Sequence, residues 1–192
     1  MVTPVMSPPS DAFFTQDIHA LAKSLIGSLI LLDDVGGKIV ETEVYTRDDP
    51  ASHSINGPRP RNAVMFGAPG RAYVYQIYGL HFCLNIVGGL QPGSAVLIRA
   101  LEPVNGLDIM FERRHVGDAR HLCSGPGRLC QALGVTLAHN GLPVTHDPFR
   151  LIPTQHPQDI VTGPRIGITK AAELPWRYGL RDSPFLSRPF KT

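Results

Sequence analysis

Two runs that double back on themselves constrain the fold most. Residues 28–32 are apolar and β-prone, residues 33–37 (Asp33-Asp34-Val35-Gly36-Gly37) have turn chemistry, and residues 38–45 return as a second β-prone run. The same happens again when residues 71–78, rich in tyrosine and valine, meet residues 81–87 across Gly79-Leu80. β-Branched and aromatic residues suit a pleated, half-buried surface, and Asp and Gly supply the backbone angles of tight turns. Strands joined by so short a loop must pair antiparallel, because a parallel pair needs a crossover of a dozen or more residues. A further apolar run, residues 95–101, reads as a buried strand that Glu102-Pro103 ends.

Helical signals are fewer. Ile18, Leu21, Ala22 and Leu25 recur at helical spacing between Asp17 and Gly27, which predicts a short amphipathic helix with an acidic start and a glycine stop. Residues 105–114 read as helical, and Ser124-Gly125-Pro126-Gly127 as a capped helix start. Residues 46–69 are rich in Pro, Gly, Asn, Asp and Ser, forming a long irregular segment of the kind reserved for function. Beyond residue 140, spaced prolines break the chain into short strands and loops. With no repeat and no linker, the expectation is one mixed α/β (α+β) domain over residues 11–192, built on a curved, mostly antiparallel sheet. A loose lead-in, residues 1–10, precedes it.

At 192 residues and 43% hydrophobic, the chain can bury a proper core. It has neither an apolar run long enough to cross a bilayer nor a secretory leader pattern, so a cytoplasmic location is expected, or a nuclear one in a eukaryote. Cys83, Cys123 and Cys130 are an odd number in a chain that needs no staples, which points to reduced thiols, and their spacing does not suit zinc. The net charge of +2 does not by itself announce a nucleic-acid binder. Arginine greatly outnumbers lysine, either because guanidinium forks suit phosphates and bases or because the source genome is biased in composition.

Glu41 and Glu43 lie two apart on one strand and share a face with Ile39 and Tyr45. They are either two solvated strand residues or a carboxylate site among apolar neighbours, with His53 in the following loop as a companion. Tyr73, Tyr75 and Tyr78 are three of only five tyrosines. They are either ordinary strand formers or a platform for stacking a flat ligand.

Taken in order, several segments resemble the alkyladenine (3-methyladenine) DNA glycosylase family. They include Ile39-Val40-Glu41-Thr42-Glu43-Val44-Tyr45, Ala51-Ser52-His53-Ser54, Pro60-Arg61-Asn62-Ala63-Val64-Met65-Phe66 and Tyr73-Val74-Tyr75-Gln76-Ile77-Tyr78-Gly79. Further matches are Phe82-Cys83-Leu84-Asn85-Ile86, residues 96–103, residues 122–133 and Pro164-Arg165-Ile166-Gly167-Ile168. The resemblance runs from about residue 13 to near the C-terminus.

It implies a monofunctional enzyme that flips an alkylated or deaminated purine from double-stranded DNA and hydrolyses its bond to deoxyribose. Substrates would come from the class of 3-methyladenine, 7-methylguanine, hypoxanthine and ethenoadenine. Glu43 would activate the attacking water, with Arg99 holding water and carboxylate. Tyr45 and Tyr75 would sandwich the base, His53 would touch its edge, the backbone near Ala51 and Ile166 would wall the pocket, and Asn85 would exclude the amino group of guanine. Tyr78 at the tip of a protruding hairpin would fill the gap in the stack, with Leu80 as helper, while His81 departs from the aromatic of mammalian members. Arg59, Arg61 and Arg128 would contact phosphates. The pocket motifs contain no lysine to form a Schiff base, and nothing calls for a metal or cofactor. The enzyme is expected to act as a monomer. The rival readings are a binding module that uses the same tyrosines without chemistry, and a hydrolase or transferase acting on a free nucleoside.

Overall fold

A computed structural model describes residues 8–190. Most of the expected lead-in, residues 1–7, lies outside them. All eight strands among the described residues belong to one sheet, and every pairing in it is antiparallel. In chain order they are β1 (Leu29–Leu32), β2 (Val35–Tyr45), β3 (Ala72–Ile77), β4 (His81–Val87), β5 (Ala95–Asn105), β6 (Phe149–Ile152), β7 (Ile160–Gly163) and β8 (Arg177–Leu180). The spatial order is β3-β4-β5-β2-β1-β6, and β8, with β7 beyond it, pairs with β2. Strand β2 therefore carries β5 along one edge. It shares the other between β1 near its start and β8 at Glu41, Thr42 and Glu43. Register shifts around Glu41 interrupt the β2–β5 ladder, and such irregularities bend and twist a strand.

The first hairpin turns more tightly than its sequence indicates. Only Asp33 and Asp34 form the loop, with φ of 48° and 64°, the paired positive angles of a two-residue hairpin turn. Gly36 and Gly37 lie inside β2 because backbone crosses close on both sides. A Cβ on Gly36 would sit 2.0 Å from the carbonyl oxygen of Ile30, and one on Gly37 2.0 Å from that of Glu102. Strand β5 also continues through Pro103, which pairs with Gly37. The β4 ladder leaves β5 at Leu97, so the proline stands where one edge is open and a missing N–H is tolerated.

Among the described residues, four α-helices complete the layer: α1 (Asp11–Phe14), α2 (Ile18–Leu25), α3 (Leu107–Arg114) and α4 (Pro126–Leu133). The single turn α1 has no sequence period to betray it. Helix α2 begins where Asp17 accepts the N–H groups of His19 and Ala20, and it buries Ile18, Leu21, Ala22 and Leu25. Ile18, Leu21 and Leu25 each contribute roughly 1.5–3 kcal/mol relative to exposure, and Ala22 less. Helix α4 is not capped by Ser124. Its N-cap is Gly125, with Pro126 at the first helical position, and Ser124 Oγ instead accepts a bond from Arg128. Residues 46–69 are irregular except for Pro60–Phe66, which winds as a 3₁₀ helix. One continuous core joins α2, α4 and the inner sheet face.

Candidate active site

The middle of β2 is the centre of the site. Glu41, Thr42 and Glu43 are fully buried there, each covered by β5 on one side and β8 on the other. An unpaired carboxylate in such a place would be very costly, and both are paired. Glu41 accepts from Arg99 Nε at 3.2 Å, Arg177 at 3.0 Å, and the backbone N–H and hydroxyl of Ser187 at 2.6 and 2.8 Å. Glu43 has fewer ties. Its Oε2 accepts from the Tyr45 hydroxyl at 2.9 Å, and its Oε1 accepts from the backbone N–H of Ile166 at 2.8 Å and lies 3.3 Å from Arg99. Arg99 thus bridges the two glutamates.

Burial pushes the Glu43 carboxyl above its ordinary range, and Arg99, the Ile166 N–H and the Tyr45 hydroxyl oppose that shift. A carboxylate held this way is a stronger base than a solvated one, which favours proton abstraction from water. Burial also pushes the Tyr45 phenol up, so its proton stays on and is donated to Glu43.

Tyr45 leads from the carboxylate to a cavity of about 170 Å³, lined by Tyr45, Ala51, Ser52, His53, Met65, Tyr73, Tyr75, Ile77, Asn85 and Ile168. This is below the roughly 300 Å³ of the smaller drug-sized pockets, and suits one flat ring system. Alternation along β3 puts Tyr73 and Tyr75 on the cavity side, 5.5 Å apart. The His53 ring stands edge-on to Tyr75 at 4.5 Å, and its Nδ1 is 2.9 Å from the Tyr73 hydroxyl. Burial, with the nearby charge of Arg61, pushes the His53 imidazole below its usual value, which keeps it neutral. Burial likewise raises the Tyr73 phenol to about 12. Asn85 donates from Nδ2 to the Tyr73 carbonyl at 3.0 Å, which fixes its amide at the cavity wall.

The structure thus brings Glu43, Arg99, Tyr45, Ala51, His53, Tyr75 and Asn85 to one place. Ile166 joins them through its backbone N–H, while Ile168, two residues on, lines the cavity. Tyr73 was within reach of sequence reasoning, since it shares the face of Tyr75. Met65 lay in a matching segment without a role assigned to it, and Ser187 carried no sequence signal. Tyr78 and Leu80 stand apart from the cavity in the β3–β4 loop, 91% and 77% exposed. Tyr78 and Gly79 both take positive φ, 51° and 66°, and the Leu80 N–H closes the turn on the Ile77 carbonyl at 3.1 Å. His81 packs beside Gly127 of α4, where a Cβ would come within 3.1 Å of it. Arg59, Arg61 and Arg128 are exposed, Arg128 folding back onto Ser124.

Cys83, Cys123 and Cys130 are free and buried. Among the described residues, no three His, Cys, Asp or Glu side chains gather as a metal site, and no helix is long and apolar enough to cross a membrane.

A family profile described as methylpurine-DNA glycosylase matches residues 12–184. A protein of Nitrosospira multiformis, provisionally named a 3-methyladenine DNA glycosylase, is 56% identical over 189 residues, covering 97% of this chain and 96% of its own. One of Rhodopseudomonas palustris strain BisB18, similarly named, is 58% identical over 180 residues, covering 93% and 90%. With its buried carboxylate beside an aromatic cavity, the chain belongs to the methylpurine-DNA glycosylase family and is a DNA glycosylase.

Proposed function

We propose that the protein flips an alkylated or deaminated purine out of duplex DNA into the aromatic cavity and hydrolyses its bond to deoxyribose with a water activated by Glu43. The observation that carries this reading is Glu43 itself, a fully buried carboxylate one hydrogen bond from Tyr45, which lines the cavity. The water oxygen bonds to the sugar C1′ and its proton passes to Glu43. The C1′–N bond breaks, and its electron pair leaves with the base. The negative charge of Glu43 also favours the oxocarbenium-like sugar that develops on the way.

Tyr45 and Tyr75 would stack the base, and a cationic methylpurine would gain roughly 0.5–2 kcal/mol per ring from their π faces. Neutral hypoxanthine and ethenoadenine would depend on fit and on edge contacts to His53. Ala51 and the 166–168 segment close the walls, and Asn85 opposes the amino group of guanine. Tyr78, with Leu80, would occupy the gap in the stack, and Arg59, Arg61 and Arg128 would meet phosphates. Residues 11–192 would act as one monomeric unit on the chromosome, hence in the cytoplasm of a bacterium.

Base release from hypoxanthine- and 7-methylguanine-containing duplexes, followed on a denaturing gel with and without alkali, tests the reading. Free base with an intact strand that breaks only under alkali is expected. Duplex binding with no base release would leave the binding-module reading in its place. Equal release from free nucleosides would favour the small-molecule hydrolase.

A further inference from the structure

Arg165 is buried and does not line the cavity, although it packs on the ring of Tyr45, which does. Its guanidinium lies between two rings, 4.7 Å from the Tyr45 centroid and 5.0 Å from that of Trp176. NH1 donates to the Val44 carbonyl at 2.9 Å and to Asp49 Oδ2, and NH2 donates to Asp49 Oδ1 at 3.1 Å and to the Ala171 carbonyl at 3.3 Å. Asp49 in turn accepts the Ala51 N–H at 2.9 Å. Nε is the one buried side-chain nitrogen or oxygen among the described residues with no partner. For stability alone, an apolar side chain between the two rings would avoid both that orphan donor and the desolvation of an ion pair.

Each bond ends on a different wall of the site. Val44 and the Tyr45 ring belong to β2, and Asp49 opens the loop that carries Ala51 and His53. The Ala171 bond closes the loop that bears Ile168. The residue after Arg165 supplies the N–H that holds Glu43. We infer that Arg165 is a positioning residue, which locks the stacking ring, both cavity loops and the Ile166 N–H on Glu43 into one rigid unit before DNA arrives. Lysine cannot replace it, having three donors, no plane to stack and no fork for a carboxylate. The inference rests on the roles given above to Glu43 and Tyr45.

Arg165→Lys tests it, because the charge beside Asp49 is kept while the fork and the stacking are lost. Besides the Ile166 N–H, the charged and titratable groups around Glu43 are Tyr45 and Glu41 on β2, Arg99 on β5, Arg177 on β8 and Cys83 on β4. The substitution replaces none of them; it reaches Tyr45 only through the lost stacking, and a looser Tyr45 hydroxyl bond would raise the Glu43 pKa in the same direction. The Ile166 N–H favours the charged carboxylate, so loosening it raises the Glu43 pKa. The expected result on a hypoxanthine duplex is a single-turnover rate at least tenfold lower, with an acidic limb of the pH–rate profile moved to higher pH. Affinity for an abasic duplex should stay within twofold.

A folded Arg165→Lys protein with a rate within twofold and an unmoved limb would overturn the inference, leaving Arg165 a brace for stability only. If that variant does not fold, Asp49→Asn weakens the same clasp from the other side and should give the same two changes; their absence would be equally fatal. Failure of the unsubstituted protein to release base would overturn the glycosylase reading and this inference with it. Release by the unsubstituted protein and by Arg165→Lys alike removes this inference alone.

Discussion

Glu41 and Glu43 lie two residues apart and are equally buried, yet differ in their bonding. Glu41 accepts four bonds, from Arg99, Arg177 and Ser187, whereas Glu43 is held by Tyr45, Ile166 and a shared Arg99. The less satisfied carboxylate is the one next to the cavity, where residual basicity can be used. Its raised pKa has a thermodynamic consequence. A carboxyl whose folded pKa lies above its unfolded value contributes stability that is present below the unfolded value and lost as pH rises through the folded one. Glutamine at this position has no proton to lose. The melting temperature of Glu43→Gln minus that of the unsubstituted protein should therefore increase as pH rises from about 4.5. A difference that shrinks over that range in parallel thermal melts would show that Glu43 is not destabilised by ionisation. Spacing alone left both glutamates open between surface and site, because alternation says which face they share but not what covers it. Ordered resemblance singled out Glu43. It placed the backbone near Ile166 in the pocket wall but did not reveal that the Ile166 N–H holds Glu43, since a main-chain N–H leaves no mark on side-chain identity.

At the scale of elements, the β3–β4 hairpin separates stability from function most clearly. Tyr78 sits in the left-handed region, where a bulky side chain is strained, and it is almost wholly exposed. Tyr78→Asn should make the protein up to about 1 kcal/mol more stable in urea, since asparagine tolerates this conformation better. It should at the same time weaken binding to an abasic duplex. Loss of stability, or unchanged affinity, would contradict the role given to the loop. The hairpins, α2 and α3 were legible because alternation and helical period act within a few residues. The length of β5 and the depth of Gly36 and Gly37 in β2 were not. Pro103 and the two glycines carry local signals for turns, and only the neighbouring strands, which approach to within backbone contact, make them strand residues.

Over the whole molecule, one antiparallel sheet sets β2 between β5 and β8, so that charges from three strands meet in the core, and the aromatic cavity opens beside them. The net charge of +2 gives little long-range attraction to DNA, so affinity must come from local groups. Arg61 is exposed, and its charge is felt at both His53 and Tyr73, which places it near the cavity. Arg61→Ala should reduce the slope of log affinity against log salt by about 0.9, the loss of one phosphate contact, for damaged and undamaged duplexes alike. An unchanged slope would remove Arg61 from the interface. Single-turnover release of hypoxanthine from a duplex by Glu43→Gln, compared with the unsubstituted protein at equal DNA occupancy, tests the role of Glu43 in the chemistry most directly. A rate lower by at least about a hundredfold with binding retained is the predicted result. Release within a fewfold of the unsubstituted rate would contradict Glu43 as the base that activates water.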